Sequence, residues 1–374
     1  MIRVLFAGGG TGGHLYPALA IGAAMQAENP AVEVEYVGAF RGVEARILPQ
    51  RGVPHTLLPL QPIQRDRVWR NWRLLPAGIG TMTGLAKLFL RFKPSLVVGT
   101  GGYVSGPACA WAVLTNVPIA IQEQNSHPGF TTRVLSRFAR QVHLGFPEAA
   151  KQLNPGRNTQ VLSAGNPIVP PDSTIDRSAA RARYGVRPDS TVLLVVGGSQ
   201  GSRAVNEALL AAIEGTAKGS LAAKPADLEI VWATGPSHID GIQSRLAALN
   251  VDWVHAHGYI DAMPQALAAA DVAVSRAGAM ATAELLAWGI PMILIPLPTA
   301  AADHQRFNAQ ALAGAGAAVM VEEKGLTPAA LWSEVLALTA DRARRDAMRN
   351  AALERARPDA AREIARSLLS LVAA

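Results

Sequence analysis

Twice in this chain a run rich in β-branched residues ends in a glycine turn and passes directly into an apolar-periodic stretch. Residues 2–7 (IRVLFA) lead into Gly8-Gly9-Gly10-Thr11-Gly12-Gly13-His14 and then into residues 15–27. Half a chain later, residues 192–196 (VLLVV) lead into Gly197-Gly198-Ser199-Gln200-Gly201 and then into residues 202–213. An unbroken apolar strand has no face to offer water, so it suits a parallel sheet covered by helices on both sides. Strand-like runs at 32–37, 96–98 and 119–121, and again at 228–232, 272–274 and 292–295, alternate with helical stretches. This alternation predicts an α/β fold of two Rossmann-like lobes, each a doubly wound parallel sheet. Each lobe holds a second glycine turn after a strand, at residues 99–107 (GTGGYVSGP) and 275–279 (SRAGA). Ligands of open α/β sheets lie beyond the carboxyl ends of the strands, so the four turns predict one interlobe cleft.

The lobe boundary is expected at Gly165-Asn166-Pro167, with Pro170 and Pro171 stiffening a short connector. The lobes are then residues 1–164 and 165–355. Pro358 sets off a last helix, about residues 356–374, whose periodicity does not reveal its partner; packing back on the first lobe is the reading carried forward. The single cysteine, Cys109, cannot close an intramolecular disulfide, and no cysteine cluster offers a zinc site. Residues 1–7 read as a strand rather than a secretory leader. The most apolar long window, 262–297, is broken by Asp271, Arg276 and Glu284, so a soluble or peripheral protein in a reducing compartment is expected. Over 374 residues the formal charge is +7, which calls for an acidic partner: nucleic acid, anionic lipid or a phosphorylated substrate.

Glycine lets backbone amides approach an anion closely, and a helix that follows adds its positive end. Gly8-x-Gly10-x-x-Gly13 has the dinucleotide-binding spacing, but that site also needs an acid at the tip of the second strand. The tip here reads Gly38-Ala39-Phe40-Arg41, with Glu33 and Glu35 inside the strand, so a nicotinamide dehydrogenase is disfavoured. A P-loop string is absent as well. Tight strand–helix packing with no ligand is the plain alternative for each turn taken singly.

Taken together, the strings GGGTGGHLYPALA (8–20), GTGGYVSGP (99–107), QEQNSHPG (122–129), GNP (165–167), GGSQGS (197–202), RAGAMATAE (276–284) and DHQRFNA (303–309) resemble the MurG family of glycosyltransferases. The resemblance implies a GT-B fold, with an acceptor and membrane-binding lobe first and a UDP-N-acetylglucosamine lobe second. It implies inverting transfer of N-acetylglucosamine to the 4-hydroxyl of the muramyl sugar on an undecaprenyl-diphosphate-linked muramyl peptide, at the cytoplasmic face of the bacterial plasma membrane. By the same carry-over Ser199 meets the diphosphate and Glu284 the ribose hydroxyls. Ile260 contacts uracil, Ala279, Met280 and Ala281 line the nucleotide, and Gln305 holds the donor sugar. Thr11, Gly12, Gly13, Tyr103 and Asn125 bind substrate from the first lobe. No cofactor and no metal are implied at the chemical step, and the sequence has no D-x-D pair to hold one. A general base must take the acceptor proton. His14, opening a helix beside the first turn, is the first candidate, and Glu123 is the alternative or positions the acceptor. Two positions depart from the family pattern: Gln122 where histidine is common, and Val169 where an arginine contacts phosphate. Arg203 is the candidate substitute for that arginine.

Between residues 61 and 94 the cations Arg65, Arg67, Arg70, Arg73, Lys87, Arg91 and Lys93 face one acid, Asp66. They interleave with apolar residues, among them Trp69, Trp72 and Phe89. Cations beside aromatic and aliphatic groups suit the headgroup boundary of an anionic membrane. An ordinary amphipathic helix over the sheet is the alternative. No nucleic-acid-binding motif accompanies these cations, and none is expected as a partner. The rival readings are another GT-B glycolipid glycosyltransferase, a UDP-sugar epimerase of the same architecture, and a UDP-sugar-binding membrane module without turnover.

Overall fold

The computed structural model describes residues 2–61 and 74–373. The chain divides into two compact units, Met1–Val169 with Arg357–Ala374, and Pro170–Ala356.

In the first unit the described elements run β1 (Arg3–Gly8), α1 (Gly12–Glu28), β2 (Glu33–Ala39), α2 (Glu44–Gln50), β3 (His55–Leu58), α3 (Leu74–Phe92), β4 (Leu96–Gly101), α4 (Gly102–Leu114), β5 (Ile119–Glu123), α5 (Phe130–Leu135), β6 (Gln141–Leu144) and β7 (Gln160–Leu162). Its sheet has seven parallel strands in the order β3-β2-β1-β4-β5-β6-β7. Side chains alternate across a strand, and here both faces are filled. Leu5 and Ala7 of β1 join a core with α3, α4 and α5, while Val4 and Phe6 join the opposite core with α1 and α2.

The second unit runs α6 (Arg177–Arg183), β8 (Thr191–Val196), α7 (Arg203–Ala217), β9 (Leu228–Ala233), α8 (Ile239–Leu249), β10 (Val254–His257), α9 (Met263–Ala269), β11 (Val272–Ser275), α10 (Ala279–Ala287), β12 (Met292–Leu294), α11 (His304–Gly314), β13 (Ala318–Met320), α12 (Pro328–Ala340) and α13 (Arg342–Arg355). Its six parallel strands are ordered β10-β9-β8-β11-β12-β13. Each sheet reverses its winding once, between β1 and β4 and between β8 and β11. Those are the topological switch points where doubly wound folds bind ligands.

The last helix, α14 (Ala360–Ala373), packs on α1. Ile364, Ala365 and Leu368 are fully buried with Val4, Phe6 and Leu15. Arg366 and Arg362 reach Glu28 at 2.8 and 3.6 Å. The Gly165-Asn166-Pro167 string is no linker. Gly165 donates to the Leu144 carbonyl at 2.9 Å, and Asn166 is buried against the end of β5, so the division falls later, after Val169.

Residues 85, 88 and 89 recur at helical spacing on one stripe of α3, and that stripe faces the core. Phe89 is 9% exposed among Leu85 and Leu88, which corrects its expected place on a membrane face. Among the described side chains of this helix, Ile79, Met82 and Leu90 are the exposed large apolar ones. Trp69, Arg70, Trp72 and Arg73 lie outside the described residues. Five short strands, β3, β6, β7, β10 and β13, carry no apolar run long enough to announce them. Gln141 and His143 in β6 and His255 and His257 in β10 break the pattern.

Candidate active site

In the first unit, the glycine turn after β1 meets the one after β4 at the switch point, where Gly8 registers with Gly101. Gly10 takes a left-handed φ of 86°, and a Cβ there would lie 2.7 Å from the Tyr103 ring. Burial pushes the Tyr103 phenol pKa up, and the nearby Glu44 carboxylate adds to the rise. Thr11 does not cap α1 with its side chain, so the amides of Gly12 and Gly13 have no partner among the described residues.

The turn is already occupied at one amide. Fully buried Glu44 accepts from the Gly10 amide through both oxygens, at 3.2 and 3.0 Å, and from the Ala39 amide at 3.0 Å. A Cβ at Gly9 or Gly42 would fall 2.4 or 2.1 Å from its Oε1, so these glycines make the room for the carboxylate. A nucleotide phosphate cannot take the Gly10 amide as in a dinucleotide site, because an internal anion holds it. Glu33 and Glu35 are committed elsewhere, to Arg3 and to Thr56 with Arg91.

His14 sits on the first turn of α1 with its ring against the backbone of Gly101 and Gly102, both at positive φ. Its Nδ1 lies 3.1 Å from the Thr100 carbonyl and 2.9 Å from Gln124 Oε1. Nε2 has no hydrogen-bond partner among the described residues. Glu123 is buried at the end of β5, and its oxygens accept from the amides of Asn125 (3.1 Å) and Gly129 (3.2 Å). That arrangement shapes the loop carrying Asn125, while the His14 ring keeps Nε2 without a partner among the described residues.

In the second unit the turn after β8 has left-handed φ angles at Gly198 and Gly201, and a Cβ at Gly201 would strike the Thr234 carbonyl at 1.9 Å. Ser199 is exposed in this turn. Ser202 caps α7, and its hydroxyl accepts from Arg276 Nη2 at 2.7 Å. The Arg276 guanidinium also donates to the carbonyls of Ile295 and Pro296 and pairs with Glu323. It thereby ties the turn after β11 to the start of α7 and sets a fixed positive charge behind it. Arg203, the first residue of α7, is 80% exposed and among the described residues makes only a 3.9 Å contact to Glu207. Its guanidinium is therefore free to turn toward an anion at the helix start. Val169 is exposed and contributes no charge.

Beyond β11, Gly278 opens α10, on which Ala279 is buried and Met280 and Ala281 are half-buried. One turn on, Glu284 has no hydrogen-bond partner for its carboxyl among the described residues, and desolvation raises its pKa to about 7. A partly buried carboxyl without a donor is an unfavourable arrangement that a diol, with two parallel O–H donors, would relieve. Ile260 is buried just past β10. Gln305 accepts from the Leu297 amide at 3.0 Å, which leaves its own NH2 group for another acceptor. Ala302 and Asp303, immediately before α11, both hold left-handed φ angles, 52° and 55°. Two such non-glycine residues in a row mark a strained segment of the kind that functional sites retain. Buried Asn308 fastens α11 by donating to the Ala277 carbonyl at 3.1 Å.

Sequence reasoning missed Glu44, Gln124, Arg276 and Asn308. The last three lie inside strings already singled out, but Glu44 had no motif to mark it.

Residues 4–144 match the glycosyltransferase family 28 N-terminal domain, and residues 192–364 match its C-terminal domain. A relative from Moorella thermoacetica is 39% identical over 379 residues, covering 99% of both chains. Another, from Salinibacter ruber, is 42% identical over 373 residues, covering 99% of this chain and 96% of its own. Both are named UDP-N-acetylglucosamine–N-acetylmuramyl-(pentapeptide) pyrophosphoryl-undecaprenol N-acetylglucosamine transferase. The crystal structure of Acinetobacter baumannii MurG superposes with a TM-score of 0.77 at 27% identity, over 99% of this chain and 100% of that one. A UDP-GlcNAc 2-epimerase from Neisseria meningitidis, at 16% identity and a TM-score of 0.66 over 99% of each chain, shares the fold alone. The chain belongs to glycosyltransferase family 28 and, within it, to the MurG family.

Proposed function

We propose that this chain transfers N-acetylglucosamine from UDP to the 4-hydroxyl of the muramyl sugar of an undecaprenyl-diphosphate-linked muramyl pentapeptide, with inversion. The observation that carries the reading is full-length similarity to transferases of that name, in a chain with a glycine turn at the switch point of each sheet. The second unit serves the donor. Its β8–α7 turn and the positive end of α7 receive the diphosphate, Ser199 adds a hydroxyl donor, and Arg203 supplies the charge missing at Val169. Glu284 accepts from the ribose hydroxyls, Ile260 contacts uracil, Ala279, Met280 and Ala281 line the nucleotide, and Gln305 donates to the sugar. As the sugar–UDP bond breaks, charge grows on the diphosphate, where these preorganised donors stabilise it. The first unit serves the acceptor. His14 Nε2 takes the proton of the attacking hydroxyl, while Thr11, Gly12, Gly13, Tyr103 and Asn125 meet the sugars.

The acceptor's lipid carrier requires a membrane surface, and the charge and exposed apolar residues of the first unit support this reading. It holds 19 basic against 9 acidic residues, whereas the second holds 16 against 19, so the whole positive balance lies in the first. Helices α3, α4 and α5 cover one face of its sheet and turn Ile79, Met82, Leu90, Leu114, Phe130 and Val134 outward, beside Lys87, Arg133 and Arg137. No described helix is long and apolar enough to cross a bilayer, so attachment at the headgroup level is the mode this surface supports. Binding to anionic vesicles should be released by salt, and charge reversal at Arg70 and Arg73 should weaken it more than it weakens UDP binding.

Labelled UDP-N-acetylglucosamine and a lipid-linked muramyl acceptor test the reading. Acceptor-dependent UDP release with label moving to the lipid phase is expected. Isomerised label left in water would instead mark an epimerase, and donor binding without product a binding module.

A further inference from the structure

Four side-chain amide contacts leading to His14, three of them buried, form a chain whose direction can be deduced step by step. An amide oxygen cannot donate and an amide nitrogen cannot accept, so one fixed end orients every member. The fixed end is a backbone carbonyl. Asn166 Nδ2 lies 3.0 Å from the Gln124 main-chain oxygen and must donate to it. Asn166 Oδ1 is then the acceptor facing Gln122 Nε2, at 3.2 Å. Gln122 Oε1 is consequently turned toward Gln124 Nε2 and accepts from it. A second carbonyl gives the same answer: Gln124 Nε2 also lies 2.8 Å from the Thr100 oxygen and 3.1 Å from the Gln122 oxygen, three acceptors that only a donor tolerates. Gln124 Oε1 is therefore the atom 2.9 Å from His14 Nδ1, and the other neighbour of Nδ1 is the Thr100 carbonyl. Both partners accept, so Nδ1 carries the proton.

We propose that Gln124, held by Gln122 and Asn166, locks neutral His14 in its Nδ1–H tautomer and keeps Nε2 unprotonated as the proton acceptor. The proposal rests on the reading of His14 as the base and assigns Gln124 as a positioning residue. The three amide side chains are at most 3% exposed, so water cannot compete for their bonds. The arrangement also gives Gln122 a role. A histidine there would titrate, whereas a glutamine supplies one donor and one acceptor at every pH. In the transition state, proton transfer to Nε2 makes an imidazolium whose Nδ1–H points at two oxygens that stabilise it, as a carboxylate does in hydrolytic triads.

The test is ¹⁵N-histidine labelling of the full chain, with the His14 signal assigned by comparison with His14→Gln. At a pH where the ring is neutral, the wild type should show a protonated Nδ1 and an unprotonated Nε2. Gln124→Leu should populate the other tautomer and lower kcat about 10–100-fold, with KM for UDP-N-acetylglucosamine within about twofold. Gln124→Met serves if the leucine variant does not fold. A wild-type ring protonated at Nε2, or a folded Gln124 variant with unchanged tautomer and kcat, would overturn the proposal. Near-normal turnover by His14→Gln would instead overturn the reading of His14 as base, whatever its tautomer.

Discussion

Glu284→Gln should separate what Glu284 costs the fold from what it contributes to donor binding. The carboxyl has a pKa of about 7 in the folded chain against an ordinary value of 4.5, because it is desolvated with no compensating donor. Below pH 4.5 both folded and unfolded chains hold the proton, and Glu284 costs nothing. As pH rises from 4.5 through about 7, the unfolded chain ionises first and the associated stability is lost, with the full deficit reached above 7. At 1.36 kcal/mol per pH unit the deficit has a ceiling of about 3 kcal/mol, and water reaching the half-buried side chain lowers it to about 1–3. Glutamine never ionises, so urea denaturation should find the variant more stable by about 1–3 kcal/mol at pH 8 and equal to the parent near pH 4. UDP binding should show the opposite cost. Ribose hydroxyls donate to the ionised form, so parental affinity should be flat above pH 7 and fall roughly tenfold per pH unit below it. The variant should bind weakly at every pH. A stability difference that does not change between pH 4.5 and 8, or UDP affinity equal at pH 5.5 and 8, would refute the reasoning.

Three further outcomes follow from single contacts. In Gly102→Ala, a Cβ would meet the Gly9 carbonyl at 2.0 Å from a backbone φ of 76°, a clash no rotamer relieves. Thermal unfolding should report a loss of at least about 2 kcal/mol, and an unchanged Tm would contradict this turn geometry. Arg276→Ala removes the donor to the Ser202 hydroxyl and leaves Glu323 without its partner. Calorimetry should show UDP binding weakened about tenfold or more, with Arg276→Lys recovering only part of it. Cys109 is fully buried and its thiol is pushed up to about 12, so native protein at pH 8 should resist a disulfide reagent that labels the unfolded chain at once. Fast labelling under native conditions would mean that β4 and α4 open readily.

The local chemistry of the chain was enough to announce two parallel sheets and the glycine turns at their strand ends. Residues 4–7, after Arg3, and 192–196 have no polar face, and glycines such as Gly10, Gly198 and Gly201 permit φ angles that other residues resist. Those are short-range properties, legible within a few consecutive residues. What depended on distant partners was not legible. Phe89 reads as an aromatic beside cations until the sheet beneath α3 claims it. Glu44 reads as one acid among many until Gly9, Gly10, Ala39 and Gly42 close around it. His14 and Gln124 lie 110 positions apart, and Gln122 and Asn166 lie 44 apart. Periodicity carries no record of such pairs. Composition and turns therefore determined the architecture and the strand ends at which the glycine turns gather. Only the folded chain decided which ring nitrogen bears a proton and which amide is already filled, because a hydrogen bond forms over about 3 Å of space however far apart its partners stand in sequence.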